Sequence, residues 1–239
     1  MSAAKAAPKT AMVLAAGLGT RMRPLTDDRS KALVEVAGRT LIDHMLDRLA
    51  DAGAERAVVN VHYFADRLAA HLATRERPQI VISDERARLL ETGGGLKLAR
   101  PLTGEDPIWV ANIDSVWVEK GRPALQALSE AWDPERMDAC LLCVPLTHAM
   151  GFDGAGDFSP AEDGRLAFRD DAESAPLAYM GVHICKPQIV DDGPDGPFSL
   201  TPIWRRLANE GRLYGVVLDG DWMHVGDPAA RDAAEARLA

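Results

Sequence analysis

The feature that most limits how this chain can fold is a regular exchange of short apolar runs and stretches of helical period. Thr10–Ala15, Ala57–Val61, Gln79–Ser83, Ile108–Asn112 and Ala139–Val144 are short and apolar enough to be buried strands. Between them, Leu41–Ala52, Phe64–Ala73, Gly94–Ala99 and Pro123–Trp132 carry apolar residues at helical spacing, and Gly53 offers the first of them a C-cap. Such alternation implies right-handed βαβ units around a mostly parallel sheet. The pattern changes after about Met150. Asp157–Phe168 reads as a hairpin turning at Asp163-Gly164, Leu177–Cys185 as a strand, and Asp191–Pro197 as a turn-rich, mobile loop. A helix from Thr201-Pro202 to Gly211, strands Leu213–Leu218 and Trp222–Val225, and a last helix from Asp227-Pro228 complete the reading. The expectation is an α/β fold: one Rossmann-like domain over residues 10–239, a mostly parallel mixed sheet flanked by helices, behind a loose tail at residues 1–9.

Composition narrows the function. With a net charge of −9 and no Lys/Arg cluster, the chain has no basic face for nucleic acid. No stretch approaches the ~18 apolar residues that would span a bilayer. The first nine residues lack the apolar core of about 7–15 residues that marks a secretory signal. The expectation is a soluble, cytoplasmic protein without membrane or nucleic-acid partners, monomeric or a small homo-oligomer. Cys140, Cys143 and Cys185 make no disulfide framework. Cys140 and Cys143 lie three apart on an expected strand, so they point to opposite faces and cannot share a metal.

The first apolar run passes directly into LAAGLGTRMRPLTDDRSKALVEVAG. A glycine loop after the first strand of an open α/β fold is where backbone N–H groups approach phosphates. Gly17-x-Gly19 alone serves equally well as a structural turn. The dinucleotide fingerprint needs a third glycine where Met22 stands, and the P-loop triplet G-K-[ST] is absent. Arg21, Arg23 and Lys31 add basic groups that could converge on a triphosphate. Two further segments carry candidate chemistry. Three consecutive glycines follow Glu91-Thr92, and close backbone approach to a ligand explains them better than a plain loop. Asp114 lies just past an apolar strand, where a carboxylate faces the ligand crevice and suits a hard cation, although an aspartate there also serves as a turn or cap.

Leu14–Lys31 resembles the signature of the sugar-1-phosphate nucleotidyltransferases, G-x-G-T-R-[ML]-x-P-L-T-x-x-x-P-K, with Ser30 in place of the proline before the lysine. The resemblance implies the reaction NTP + sugar 1-phosphate → NDP-sugar + pyrophosphate. It puts Leu14, Ala15, Ala16, Gly17, Gly19, Thr20 and Arg21 on the nucleotide and makes Arg21, Lys31 and Asp114 catalytic. Glu91–Gly95 resembles the family's E-T-G-G-G, which implies Gly93 and Gly94 at the base and Glu91 near base or sugar. Asn112-x-Asp114 fits the family's metal-binding N-x-D and implies Mg²⁺, with Mn²⁺ as the other candidate. The second metal ligand of the family is an aspartate in W-x-D-x-G, and here Trp222–Gly226 has His224 at that place. Imidazole suits Mn²⁺ better than Mg²⁺, so His224 holds either the metal or a phosphate or water beside it. Asn112, Asp157 and Gly181 fall on segments similar to the family's sugar side. Residues 10–150 would then be a nucleotide-binding half and 151–239 a sugar-binding half. Within the family the chain is most similar to the short uridylyltransferases acting on N-acetylmuramic acid 1-phosphate, which serve cell-wall recycling. Mannose 1-phosphate guanylyltransferase is the alternative, and a non-catalytic nucleotide-sensing subunit is the alternative of another class.

Overall fold

The structure, a computed structural model, describes residues 7–238. β1 (Thr10–Leu14) runs through the middle of a nine-stranded sheet. A short hairpin of β2 (Glu35–Val36) and β3 (Arg39–Thr40) then delivers the chain to α1 (Leu41–Asp51). Thr40 caps this helix, its hydroxyl accepting from the Asp43 N–H at 3.3 Å. β4 (Arg56–Val61), α2 (Ala65–Leu72) and β5 (Gln79–Asp84) step outward on one side of β1, with all strands parallel. α3 (Glu91–Thr103) carries the chain back to the other side, where β6 (Ile108–Asn112) pairs in parallel with β1 and sets Asn112 beside Leu14. Crossovers that leave β1 in opposite directions open a crevice beyond the C-terminal ends of β1 and β6.

After β6 a tight turn leads into β7 (Ser115–Glu119), followed by α4 (Ala124–Ala131) and β8 (Ala139–Pro145). β9 (Ala149–Met150) precedes the hairpin of β10 (Phe158–Pro160) and β11 (Leu166–Phe168). β12 (Leu177–Cys185) runs antiparallel to both β6 and β8. α5 (Thr201–Asn209) leads to β13 (Leu213–Val217), which is parallel to β8. β14 (Gly220–His224) lies between β7 and β9 in a separate three-stranded sheet, and α6 (Pro228–Leu238) closes the described chain.

Residues alternate along the strands between two buried clusters, so both faces of the sheet are covered. Ala11, Val13, Val59 and Ala111 pack with α1, α2 and α4 through Met45, Leu68 and Leu128. Met12, Val58 and Val110 pack with α3 and α5 through Leu96, Ala99, Ile203 and Leu207. Cys140 belongs to the first cluster and Cys143 to the second, so the two thiols do sit on opposite faces. Burial pushes the Cys140 thiol up to about 12, which leaves it an unreactive thiol.

Three readings of the sequence change. Residues 1–6 of the expected loose tail lie outside the described residues, while its last part is tied down: Trp109 Nε1 donates to Pro8 O at 3.0 Å and Glu55 N to Lys9 O at 2.8 Å. The helix expected over Gly94–Ala99 begins at Glu91 and takes in all three glycines. The loop Asp191–Pro197 is strapped to that helix, since Lys97 Nζ reaches Gly193 O at 2.6 Å and Arg100 reaches Asp191 at 2.7 Å. Among the described residues no helix is long and apolar enough to cross a membrane.

Candidate active site

At the end of β1 the backbone turns out of the sheet, and its first two N–H groups are already taken. Ala15 and Ala16 both donate to Asn60 Oδ1, at 2.6 and 3.2 Å. Asn60 lies near the end of β4 and its Nδ2 donates to Glu85 Oε1 at 2.7 Å, while Glu85 Oε2 accepts from Leu90 N at 3.2 Å. Both side chains are buried, and that burial pushes the Glu85 carboxyl above its usual range despite the two donors. The next two glycines exist for different reasons. Gly19 has φ +62°, and a Cβ there would stand 3.1 Å from the side chains of both Lys31 and Thr26. A Cβ on Gly17 would meet nothing within 4 Å, so its bareness leaves open cleft rather than packing room. Among the described residues, the backbone N–H groups from Gly17 to Thr20 have no intramolecular partner.

The loop returns to the site at Lys31, whose Nζ lies 2.8 Å from Asp114 Oδ2. Ser30, where the family signature has proline, has φ −68° and ψ 153°, a conformation proline adopts unstrained. It is fully buried, and its hydroxyl finds no partner among the described residues. Ser30→Pro is therefore expected to stiffen the unfolded chain and remove an unsatisfied polar atom. A rise of about 1–4 °C in Tm should appear by calorimetry. A lowered Tm would show that the site cannot take the ring.

Together with the C-terminal ends of β1 and β6, the loop encloses a cleft of about 410 Å³. Leu14, Ala15, Ala16, Gly17, Gly19, Thr20, Arg21, Lys31, Glu91, Asn112 and Asp114 all line it. Arg21 is exposed and makes no ion pair or hydrogen bond among the described residues. Seven more residues line it, Asn60, Glu85, Leu89, Thr92, Ile113, Ser199 and Gly226, and none of them was given a role from the sequence. The signal for Asn60 was a lone amide inside the apolar run AVVNV. That for Glu85 was an acid placed directly after a strand.

Asp114 sits on the turn between β6 and β7, held there by Val225 N donating to Asp114 O at 2.9 Å. Burial works to raise its carboxyl pKa, but His224 and the Lys31 ammonium outweigh burial and hold it well below the usual carboxylate range. His224 is held by its Nδ1, 3.1 Å from Gly151 O. A carbonyl oxygen only accepts, so Nδ1 carries a proton and Nε2 turns toward Asp114 Oδ2 at 3.5 Å. In the protonated ring Nε2 donates to that carboxylate. In the neutral ring two lone pairs face each other across the gap, where a cation would be accommodated. Gly226 makes room for the imidazole, since a Cβ there would stand 3.1 Å from its Cε1. Among the described residues no group of three or more His, Cys, Asp or Glu side chains is arranged to hold a metal. The pair still suits Mg²⁺, which commonly takes one or two carboxylates and completes its shell with substrate phosphates and water.

Gly93, Gly94, Asp157 and Gly181 do not line this cleft. Gly93 and Gly94 are buried in the first turn of α3, and both donate their N–H to Phe198 O, at 2.8 and 3.1 Å. The close approach that the glycines implied is thus made by the chain's own segments, around Phe198 at Gly93 and Gly94 and by Glu85 and Asn60 at Gly95. Asp157 belongs to a second cavity of about 240 Å³ that shares Thr92, Asn112 and Ser199 with the cleft. Its carboxylate accepts from Tyr179 N at 2.8 Å, and burial pushes its pKa up. Gly181 has φ +77° and lies against Asn112, where a Cβ would be 2.7 Å from Asn112 Nδ2.

Residues 11–152 match the family model of the MobA-like NTP transferase domain. The chain is 64% identical to the N-acetylmuramate alpha-1-phosphate uridylyltransferase of Caulobacter vibrioides, covering 98% of each. It is 30% identical to the mannose-1-phosphate guanyltransferase of Neurospora crassa over 91% of this chain and 61% of that one. The structure of a UDP-glucose pyrophosphorylase complexed with UDP-glucose superposes with a TM-score of 0.81 at 16% identity, covering 96% of this chain and 98% of the other. At that identity the likeness is one of fold.

Proposed function

Because the chain belongs to the MobA-like NTP transferase family, and is an enzyme of the nucleotidyltransferase type, we propose that it joins UTP to N-acetylmuramic acid 1-phosphate, giving the UDP-sugar and pyrophosphate. The observation that carries this reading is the end-to-end likeness to the Caulobacter uridylyltransferase. In this reading the enzyme works in the cytoplasm and serves cell-wall recycling.

An oxygen of the sugar phosphate attacks the α-phosphorus, the bond to the β-phosphate bridging oxygen breaks, and pyrophosphate leaves on the far side. A phosphate monoester is largely dianionic at neutral pH, with a second pKa of about 6, so no general base is needed. The barrier lies in bringing two polyanions together, and the chain answers with position and positive charge. Free N–H groups between Gly17 and Thr20 receive phosphate oxygens. Arg21, without a partner of its own, stabilises the departing pyrophosphate. Lys31 offsets charge as the phosphates meet. Asn112, Asp157 and Gly181 face the sugar. Asp114, with His224 beside it, would hold Mg²⁺, which when bound draws charge from the phosphate oxygens.

Pyrophosphate release across a panel of NTPs and sugar 1-phosphates tests the reading. UTP with N-acetylmuramic acid 1-phosphate is expected to give the highest kcat/KM. Preference for GTP with mannose 1-phosphate would favour the guanylyltransferase alternative, supported by the more distant Neurospora relative. Silence with every pair would favour a nucleotide-sensing subunit.

His224 tunes which cation serves. His224→Asp is expected to keep or raise the rate in Mg²⁺ and to lower the ratio of Mn²⁺ to Mg²⁺ rates. A tenfold loss in Mg²⁺ would show that the imidazole has a task a carboxylate cannot perform.

A further inference from the structure

Gly93 and Gly94 of α3 form a bare strip that one segment of the chain fills, while Gly95 faces Glu85 and Asn60. A Cβ on Gly93 would lie 2.3 Å from the Phe198 ring, and one on Gly94 would lie 2.4 Å from Gly196 O. The strip also bonds the segment it receives. Phe198 O takes both glycine N–H groups, Phe198 N donates to Leu90 O at 3.1 Å, and Leu200 N donates to Thr92 Oγ1 at 3.0 Å. Lys97 secures the far end at Gly193 O and at Asp195 Oδ1, 2.9 Å away. Residues 193–200 are thereby fixed at both ends, and Ser199 is carried to the border shared by the two cavities.

What Ser199 presents there is specific. Its Oγ lies 3.0 Å from Thr201 Oγ1 and accepts from Thr201 N at 3.1 Å. Two hydroxyls bring two protons, and one suffices for the bond between them, so one proton is left to donate outward. Phe158, Phe168, Tyr179 and Trp204 line the second cavity together with this hydroxyl pair. A hydroxyl donor and aromatic rings in one cavity match a substituent that carries both a carbonyl and a methyl group, and an unsubstituted hexose has neither.

Resting on the sugar-nucleotidyltransferase reading above, we propose that the segment 193–200, seated on the glycine strip, is the wall that selects the sugar, with the Ser199–Thr201 hydroxyl pair donating to an acyl substituent of the sugar ring. Ser199 is then a specificity residue, and Gly94 and Lys97 are positioning residues that act through it. Three variants test this with the full-length enzyme, UTP and N-acetylmuramic acid 1-phosphate. Ser199→Ala is expected to raise the KM for the sugar phosphate about five- to tenfold, the size of one neutral hydrogen bond, and to leave the KM for UTP within about twofold. Lys97→Met, away from the cleft, is expected to speed amide exchange over 193–198 and to raise the same KM about two- to fivefold. Gly94→Ala is expected to shift both quantities further in the same direction. A sugar KM unchanged in Ser199→Ala, or a matching rise in the KM for UTP, would overturn the inference while wild-type turnover left the reading of the function standing. A wild-type enzyme silent with every substrate pair would instead bring down that reading, and unchanged exchange over 193–198 in Lys97→Met would separately overturn the strap.

Discussion

Asp114→Asn is expected to abolish turnover, with kcat falling by at least about a thousandfold, while the protein folds as before. The two side chains have the same shape, so only charge is lost. The fold does not depend on that charge, because the turn is held through the main chain: Val225 N donates to Asp114 O, and Asn112 continues β6 beside β1. The site depends on it twice. The carboxylate is the partner of Lys31 at 2.8 Å, and it is the hard oxygen donor through which a divalent cation would be held next to His224. An amide gives Lys31 a weaker partner and a cation a neutral donor. Circular dichroism should match the wild type, the melting temperature should fall by a few degrees because Lys31 loses its charged partner, and pyrophosphate release should be lost. Near-normal rates in saturating Mg²⁺ would remove Asp114 from the mechanism.

The second large effect concerns Arg21. Arg21→Ala is expected to lower kcat by about a hundred- to a thousandfold, the range typical of removing one preorganised donor from a developing charge. Its stability should change by less than about 0.5 kcal/mol, because Arg21 is exposed and bonds to no other described residue. Most other cations of this acidic chain are engaged, as with Arg75 on Asp43 and Asp47, or Arg212 on Asp138. A guanidinium left free on the wall of a cleft is available to a ligand. Arg21→Lys should recover only part of the rate, since a point charge does not reproduce the planar fork. A kcat within threefold of wild type in Arg21→Ala would show that the pyrophosphate leaves without its help.

The first half of the fold was legible because its strands and helices are bounded by clear changes of period, and the site followed because the loop begins where β1 stops. What escaped the sequence was decided by contacts far apart in the chain. Three glycines argue against a helix locally, at about 1 kcal/mol each relative to alanine. Glu91–Thr103 is helical nonetheless, because Phe198 O accepts two of its first N–H groups and the missing Cβ atoms admit the segment around Gly196. β7 was hidden behind Asn112-Ile113-Asp114, whose polar ends read as the close of a strand and not as a turn into another. Asn60 and Glu85 carry no motif at all. Asn60 is a lone amide near the end of an apolar run and Glu85 one of several polar residues after another, and they find each other only because β4 and β5 are neighbours. The place of His224 came from the resemblance, but the reason its Nε2 faces Asp114 is Gly151 O, seventy-three residues away in sequence.

Asn60 has a consequence for the entropy of ligand capture. By taking both the Ala15 and Ala16 N–H groups, it anchors the root of the glycine loop to β4 before any nucleotide arrives, and Glu85 anchors Asn60 in turn. Ordering a residue's backbone costs about 1–2 kcal/mol. With the root already fixed, a triphosphate does not have to order it, and less of its binding free energy is spent on holding the protein still.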